Sequence, residues 1–574
     1  MSPSLLLGVA AATPRFRTPH IDYLSILPIL IMMGGAVAIV VVSSLVRREL
    51  RTGVGTLLAI VTSLAALGAS LTQWADVADH GAKVTIAGAV AYDGFSVFIQ
   101  VTVSIAMLLT VLVGDGYLRR EDVGGPELYV LALLSASGAM VMGSANDLIV
   151  IFLGLEIMSI ALYVLAAFNH RRTESGEAAL KYFILGSFSS AIFVYGIALV
   201  YGATGSTNLP EIADYLSKNV VASNGVLLAG LALLLVGFGF KIAAVPFHMW
   251  SPDVYQGAPS PVTGFMAAVA KAGAFAALLR VFVSSFGAER ADWQPIVWAL
   301  AILSLVVGAV LALSQRDVKR MLAYSSINQA GFILLGVQAA DGRGVAASLY
   351  YVFVYTFMII GTFAVVTVLA RTGDRGHDLS EYRGLAKRQP LLAGALAILL
   401  LTQAGVPFTT GFLAKFQVVA AAVDAHSYAL AAVAMASGAI AAFFYLRVAI
   451  AMYSPAGASG DDASHEPAGA AGAGVGGEAG SAGSGSPAGS GMADPVGAAG
   501  GRGGAVGVAA PGVAMLSLQV LTDEAPSPEV AGRTVPVPAL AATALGLAVA
   551  FTVVFGIVPA PIVDFAHRAT LLFL

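Results

Sequence analysis

Cysteine is absent from the 574 residues, which excludes disulfides, thiolate catalysis and iron–sulfur ligation by this chain. Charge is scarce. Charged residues make up 11% of the chain, against about 25% in soluble domains. With 58% hydrophobic residues and a mean hydropathy of +0.85, a soluble enzyme is excluded. The net charge of −3 offers no basic field to hold a nucleic acid. The 8 histidines are scattered without an H-x-x-x-H or similar spacing, so neither a metal site nor a cofactor-binding site is expected. Lysine is the rarest charge of all, with 8 Lys against 22 Arg.

What is present is apolar sequence in long runs. A membrane-crossing helix needs about 20 such residues. Fourteen runs qualify, at about 24–46, 54–72, 93–114, 127–144, 147–168, 178–203, 225–250, 260–286, 293–314, 320–340, 345–370, 390–422, 428–453 and 537–560. They are too long and continuous for barrel strands, so the fold class is an all-α polytopic membrane protein. Leu5 to Ala12 is a poor signal peptide, since no positive charge precedes it. Positive charges cluster in alternate loops, at Arg47–Arg51, Arg119–Arg120, Arg171–Arg172, Arg316–Arg320 and Arg371–Arg388. The positive-inside rule then puts these loops in the cytoplasm and both termini outside.

Residues 454–536 break the pattern, with Ala, Gly, Ser and Pro and no apolar period. They read as a disordered cytoplasmic linker. Its Gly472, Gly474 and Gly477 form a G-x-G-x-x-G that no strand precedes and no helix follows, so it is a chance match. The organisation is then an N-terminal segment (1–23), helices one to four (24–144), helices five to eight (145–286), helices nine to thirteen (287–453), the linker, and a last helix with a short tail (537–574).

Charge inside an apolar run is costly and marks function by default. Glu156 lies nine residues into the fifth run, roughly 14 Å deep at 1.5 Å per residue. Lys241 lies in the seventh run, Lys271 in the eighth and Lys415 in the twelfth. The bland alternative is a lysine reaching to the interface, which holds only near a helix end. Lys181 and Glu127 lie near helix starts, where that alternative is stronger. His248 follows Lys241 by seven residues, two turns along one helix face, as an interfacial residue or a proton stepping stone.

Pro246 and Pro407 fall inside the seventh and twelfth runs, each within a Val-Pro-Phe tripeptide and each near a lysine. Proline removes a helix hydrogen bond. Paired interrupted helices in two halves point to two inverted repeats around a midplane ion site. The chemistry on offer is proton transfer. Lysine can release its proton where arginine cannot, so a chain that prefers Arg yet keeps three Lys deep in its runs is read as needing a titratable cation.

The stretches "FLGLEIMSIALYVL", "EAALKYFILGSFSSAIFVYGIALVYG", "GFGFKIAAVPFHMWSPDVYQGAPSPVTGFMAAVAKAGAF", "SQRDVKRMLAYSSINQAGFILLG" and "GVPFTTGFLAKF" resemble the antiporter-like membrane subunits of respiratory complex I. The likeness is closest to subunit N of bacterial NADH-quinone oxidoreductase, over about residues 20–453 and the last helix. The resemblance implies about fourteen helices with two inverted repeats of five and interrupted helices 7 and 12. It implies that Glu156 pairs with the pumping lysine Lys241, that Lys271 connects, and that Lys415 hands protons to the outer side. Lys181, Glu127 and His248 also fall on positions of interest. The implied activity is that of a non-redox translocase subunit. NADH, FMN, iron–sulfur clusters and quinone would reside in partner subunits. The partners would be the other membrane-arm subunits, the peripheral redox arm and the lipid of a bacterial plasma membrane. The alternatives are a subunit of a multisubunit Na⁺/H⁺ antiporter or of a membrane-bound hydrogenase. "EAALKYF" and the short tail after the last helix favour the first reading.

Overall fold

Short polar side chains set where many helices begin. Asp93, Asp147, Asn208, Asp317, Asp341 and Thr409 each stand just before a helix and accept a backbone N–H of its first turn. Donors that the helix itself leaves open are thereby satisfied. At Asp93 the bond is reciprocal, because Ser96 Oγ accepts the Asp93 N–H.

The computed structural model describes residues 21–123, 125–219, 224–455 and 534–569. Its regular structure is helical apart from one antiparallel hairpin, β1 (Lys83–Thr85) and β2 (Val90–Tyr92), with Lys83 opposite Tyr92. The helices before the first break are α1 (Leu27–Leu45), α2 (Arg48–His80), α3 (Gly94–Glu121), α4 (Glu127–Ser144), α5 (Leu148–Ala166), α6 (Thr173–Thr204), the short α7 (Leu209–Lys218) and α8 (Asn224–Lys241). Then follow α9 (Trp250–Gly257), α10 (Ser260–Leu279, continued by a π turn at Arg280–Ser285), α11 (Arg290–Leu313), α12 (Val318–Ala339) and α13 (Gly342–Leu369). After a loop come α14 (Leu385–Arg388), α15 (Pro390–Ala404), α16 (Thr410–Asp424) and α17 (Tyr428–Tyr453). Last are α18 (Ala539–Ile557) and α19 (Ala560–Arg568). The run at Leu5–Ala12 and residues 456–533 of the Ala/Gly-rich segment lie outside the described residues.

Among the described residues, 11 helices are long and apolar enough to cross a membrane. Three of them, α3, α10 and α13, are buried on nearly all sides and form the centre. A helix apolar all round belongs in such a place. Alanine and glycine in "TGFMAAVAKAGAFAA" let neighbours approach α10 from every direction. The outer helices α1, α6 and α18 are equally apolar but bury only one face. Val37, Phe188, Tyr195 and Val554 stay exposed there, a surface suited to lipid or to other membrane helices.

α12 differs from the rest. Its middle, Ser325, Ser326, Asn328 and Gln329, is polar yet fully buried, so it is a polar spine inside an apolar bundle. A second buried polar feature locks the frame. Arg280, where α10 loosens into its π turn, makes two 2.9 Å bonds to Asp93 and also donates to the Gly143 carbonyl at 3.0 Å. Breaking such a buried pair costs about 3–5 kcal/mol.

Candidate functional site

The seventh run is interrupted sooner than its proline suggests. Ala243 takes a left-handed φ of 58°, so α8 stops at Lys241, five positions before Pro246. The carbonyl of Phe240 accepts the Ala243 N–H at 3.1 Å and the Trp250 indole N–H at 3.0 Å. His248 therefore does not share a helix face with Lys241. It lies in the turn between α8 and α9, partly exposed.

Lys241 is buried and donates to Ser159 Oγ at 2.6 Å and to Tyr182 Oη at 3.3 Å. The rings of Tyr163 and Tyr182 face its ammonium at 5.6 and 5.3 Å, close enough for cation–π attraction. Glu156 is partly buried, and Ser190 of α6 donates to it. Glu156 and Lys241 form no direct ion pair. A cavity of about 10 Å³ lies beside Lys241 with Ser189, Ser190 and Tyr163 in its wall, room for about one water. Gly186 makes the close approach of α5 and α6 possible, because a Cβ there would lie 2.1 Å from Tyr163 Oη.

Lys271 is buried at the middle of α10. It donates to the Ser326 carbonyl, and the Tyr355 ring lies 5.2 Å from its ammonium. Ser326 Oγ in turn accepts from Tyr355 Oη at 2.9 Å and lies 3.1 Å from Tyr255 Oη. The neighbouring Ser325 touches Tyr445 Oη, which accepts from Gln329 Nε2 at 3.1 Å. The same amide lies 3.2 Å from the Gln403 carbonyl, at the end of α15.

That carbonyl leads to the second break. Gly405 and Phe408 take φ values of 89° and 64°, and the chain turns from α15 into α16. Lys415, on α16 and partly buried, reaches back to the Ala404 carbonyl at 2.9 Å and sits 4.8 Å from the Phe332 ring. Hydroxyls and amides thus run between the surroundings of Lys271 and those of Lys415, while Lys241 has its own shell of Ser159, Tyr163 and Tyr182.

The other expected residues lie elsewhere. Lys181 is half exposed and ion-paired with Glu177 at 2.8 Å and Asp253 at 2.9 Å. Glu127 is exposed in the first turn of α4, where a carboxylate favours the helix N-terminus. Sequence reasoning did not single out Ser159, Tyr182, Ser326, Gln329 or Tyr445. The polar stretch "YSSINQ" inside an apolar run was the available signal. Lys319, counted among the loop charges, is fully buried and bonds Asp374 at 3.1 Å. Burial opposes ionisation of Asp374, but Lys319, His377 and Ser260 outweigh it and hold the carboxyl well below the usual carboxylate range.

A family model described as NADH:quinone oxidoreductase/Mrp antiporter, transmembrane, matches residues 145–441, just over half of the chain. NADH-quinone oxidoreductase subunit N of Parafrankia sp. is 44% identical over 446 residues, covering 73% of this chain and 83% of that one. The chain belongs to the NADH-quinone oxidoreductase subunit N family. Both breaks and Lys241, Lys271 and Lys415 lie inside the matched range. Among solved structures, a chain of respiratory complex I from Thermus thermophilus matches with a TM-score of 0.70 at 28% identity, covering 94% of this chain and 99% of that one. A chain of the Mrp complex from Dietzia sp. matches with a TM-score of 0.74 at 21% identity, covering 95% and 96%, and shows the fold alone.

Proposed function

We propose that this subunit N family chain translocates protons across the bacterial plasma membrane, as a membrane-arm subunit driven by NADH-to-quinone electron transfer in its partners. The observation that carries the reading is the way the three lysines are held. Three lysines lie inside apolar helices, each held by neutral hydroxyls, carbonyls or aromatic rings rather than by a carboxylate. A cation so held is not locked by an opposite charge and can trade its proton with a neighbour.

The roles follow from position. Glu156 and Lys241 act as the first pair, through Ser159, Ser190 and the water-sized cavity. Lys271 receives from Lys241 across α9, and Lys415 releases toward the outer side. Lys181, Glu127 and His248 support structure or the surface. Arg280 and Asp93 form a fixed clamp, because arginine keeps its proton. Residues 145–286 and 287–453 are read as the two inverted repeats, supported by one broken helix in each. FMN, the iron–sulfur clusters and the NADH and quinone sites are assigned to partner subunits. The basic loops face the cytoplasm, and both termini lie outside. The antiporter alternative is weaker, because the likeness to the Mrp complex reaches the fold alone.

Affinity purification tests the assignment. Flavin- and cluster-bearing subunits should accompany the chain, and its deletion should abolish NADH-driven proton pumping. Copurification of cation-antiporter subunits in their place, with loss of sodium resistance on deletion, would overturn it.

A further inference from the structure

The loop between α13 and α14 closes over a polar cavity of about 390 Å³ that reaches the surface beside the exposed Glu174 and Glu177. His377 lines this cavity yet is only 6% exposed. Its Nε2 lies 2.9 Å from the Asp374 carbonyl oxygen and 3.4 Å from the Asp374 carboxylate. A carbonyl oxygen only accepts, so Nε2 carries the hydrogen. In the neutral ring Nδ1 is then the basic nitrogen, and Nδ1 is buried without a hydrogen-bond partner.

The Asp374 carboxylate is itself fixed. It accepts from Ser260 N–H at 3.0 Å, Ser260 Oγ at 2.7 Å, Lys319 Nζ at 3.1 Å and Arg172 at 3.3 Å. Lys319 also donates to the Ala258 carbonyl at 2.6 Å. Along α12, Lys319 lies two turns before Ser326, the residue whose carbonyl takes Lys271.

The geometry points to this cavity as a proton-uptake mouth, with His377 as the residue that takes the proton and Asp374 as its positioning residue. The inference rests on the proton-translocation reading. A hydronium ion in the cavity gives one proton to Nδ1 when the ring turns that nitrogen toward the cavity, and leaves as water. The imidazolium that forms keeps its Nε2–H on Asp374, whose carboxylate balances the added charge. Lys319, on the same carboxylate, marks the way inward to Ser326 and Lys271.

The test uses the whole assembled complex in membrane vesicles. His377→Ala should cut NADH-driven pumping at least fivefold, and added imidazole, small enough for the cavity, should restore it. A purely structural role would give no such rescue. Pumping at the wild-type level, or a loss that imidazole leaves unchanged, overturns the inference. Because this chain has no cysteine, Glu177→Cys offers a second route that does not depend on altered folding. The unlabelled variant sets the baseline, and attachment of a bulky thiol reagent after assembly should slow it more than the same reagent slows the wild-type complex. Labelling without effect counts against the mouth. Lys241→Ala in parallel separates the two claims: normal pumping there removes the underlying reading, whereas normal pumping in His377→Ala alone removes only this one.

Discussion

The two broken helices hold their lysines in opposite ways. At the first break the lysine is the last residue of the half-helix that ends, and Lys241 turns sideways to Ser159 and Tyr182. At the second break the lysine belongs to the half-helix that begins, and Lys415 reaches back to the Ala404 carbonyl. Both ammonium groups nevertheless sit at the C-terminal end of a half-helix, where the aligned peptide dipoles favour a cation. Placement of the charge at a helix end is the shared requirement, and the connectivity that delivers it is free to differ. What does differ is the shell. Lys241 is buried among two hydroxyls and two rings, whereas Lys415 is partly buried with one carbonyl and one ring.

The comparison yields a ranking. Lys415→Ala removes the cation from the second break, and NADH-driven pumping in vesicles should fall at least about tenfold, equal to about 1.4 kcal/mol in the barrier. Pumping at half the wild-type rate or better would show that the second break is dispensable. Ser159→Ala takes away the shortest partner of Lys241. Lys241 keeps its contacts with Tyr182 and Tyr163, so pumping should slow severalfold while the complex still assembles. Phe332→Leu removes only the ring beside Lys415, worth about 0.5–2 kcal/mol, and should slow pumping less than Ser159→Ala does. The reverse order would mean that the shell of Lys415 is the more demanding one.

A control lies outside both breaks. Asp374 is held below its unfolded value, so its stabilisation is full above about pH 4 and is lost as pH falls through the lower folded value. Thermal unfolding of the purified complex between pH 5 and pH 3 should show this acid loss. Asp374→Asn should flatten it.

Much of this was legible in the sequence. The apolar runs at 127–144 and 428–453 have the same bounds as α4 and α17, because long uniform hydrophobicity leaves few other options. Lys241, Lys271 and Lys415 stood out because charge in such runs is rare. The groups that hold them did not. Ser159, Tyr182, Ser326 and Tyr445 are common residues of membrane helices, and only the packing of α5, α6, α12, α13 and α17 brings them to the lysines. Lys319 passed for a loop charge because Arg316 and Arg320 flank it. His248 was placed on the face of Lys241 by a helix periodicity that Ala243 had already ended. Glu156 was read as pairing with Lys241, and Ser190, which donates to it, was not foreseen.

The central claim is that Lys241 works by releasing a proton and not by its charge alone. Its most direct test is Lys241→Arg beside Lys241→Ala in the assembled complex, with proton translocation and NADH-to-quinone electron transfer measured in the same vesicles. Arginine keeps the charge but holds its proton, so both variants should assemble and both should lose most of their pumping. Pumping at the wild-type level in Lys241→Arg would contradict the account.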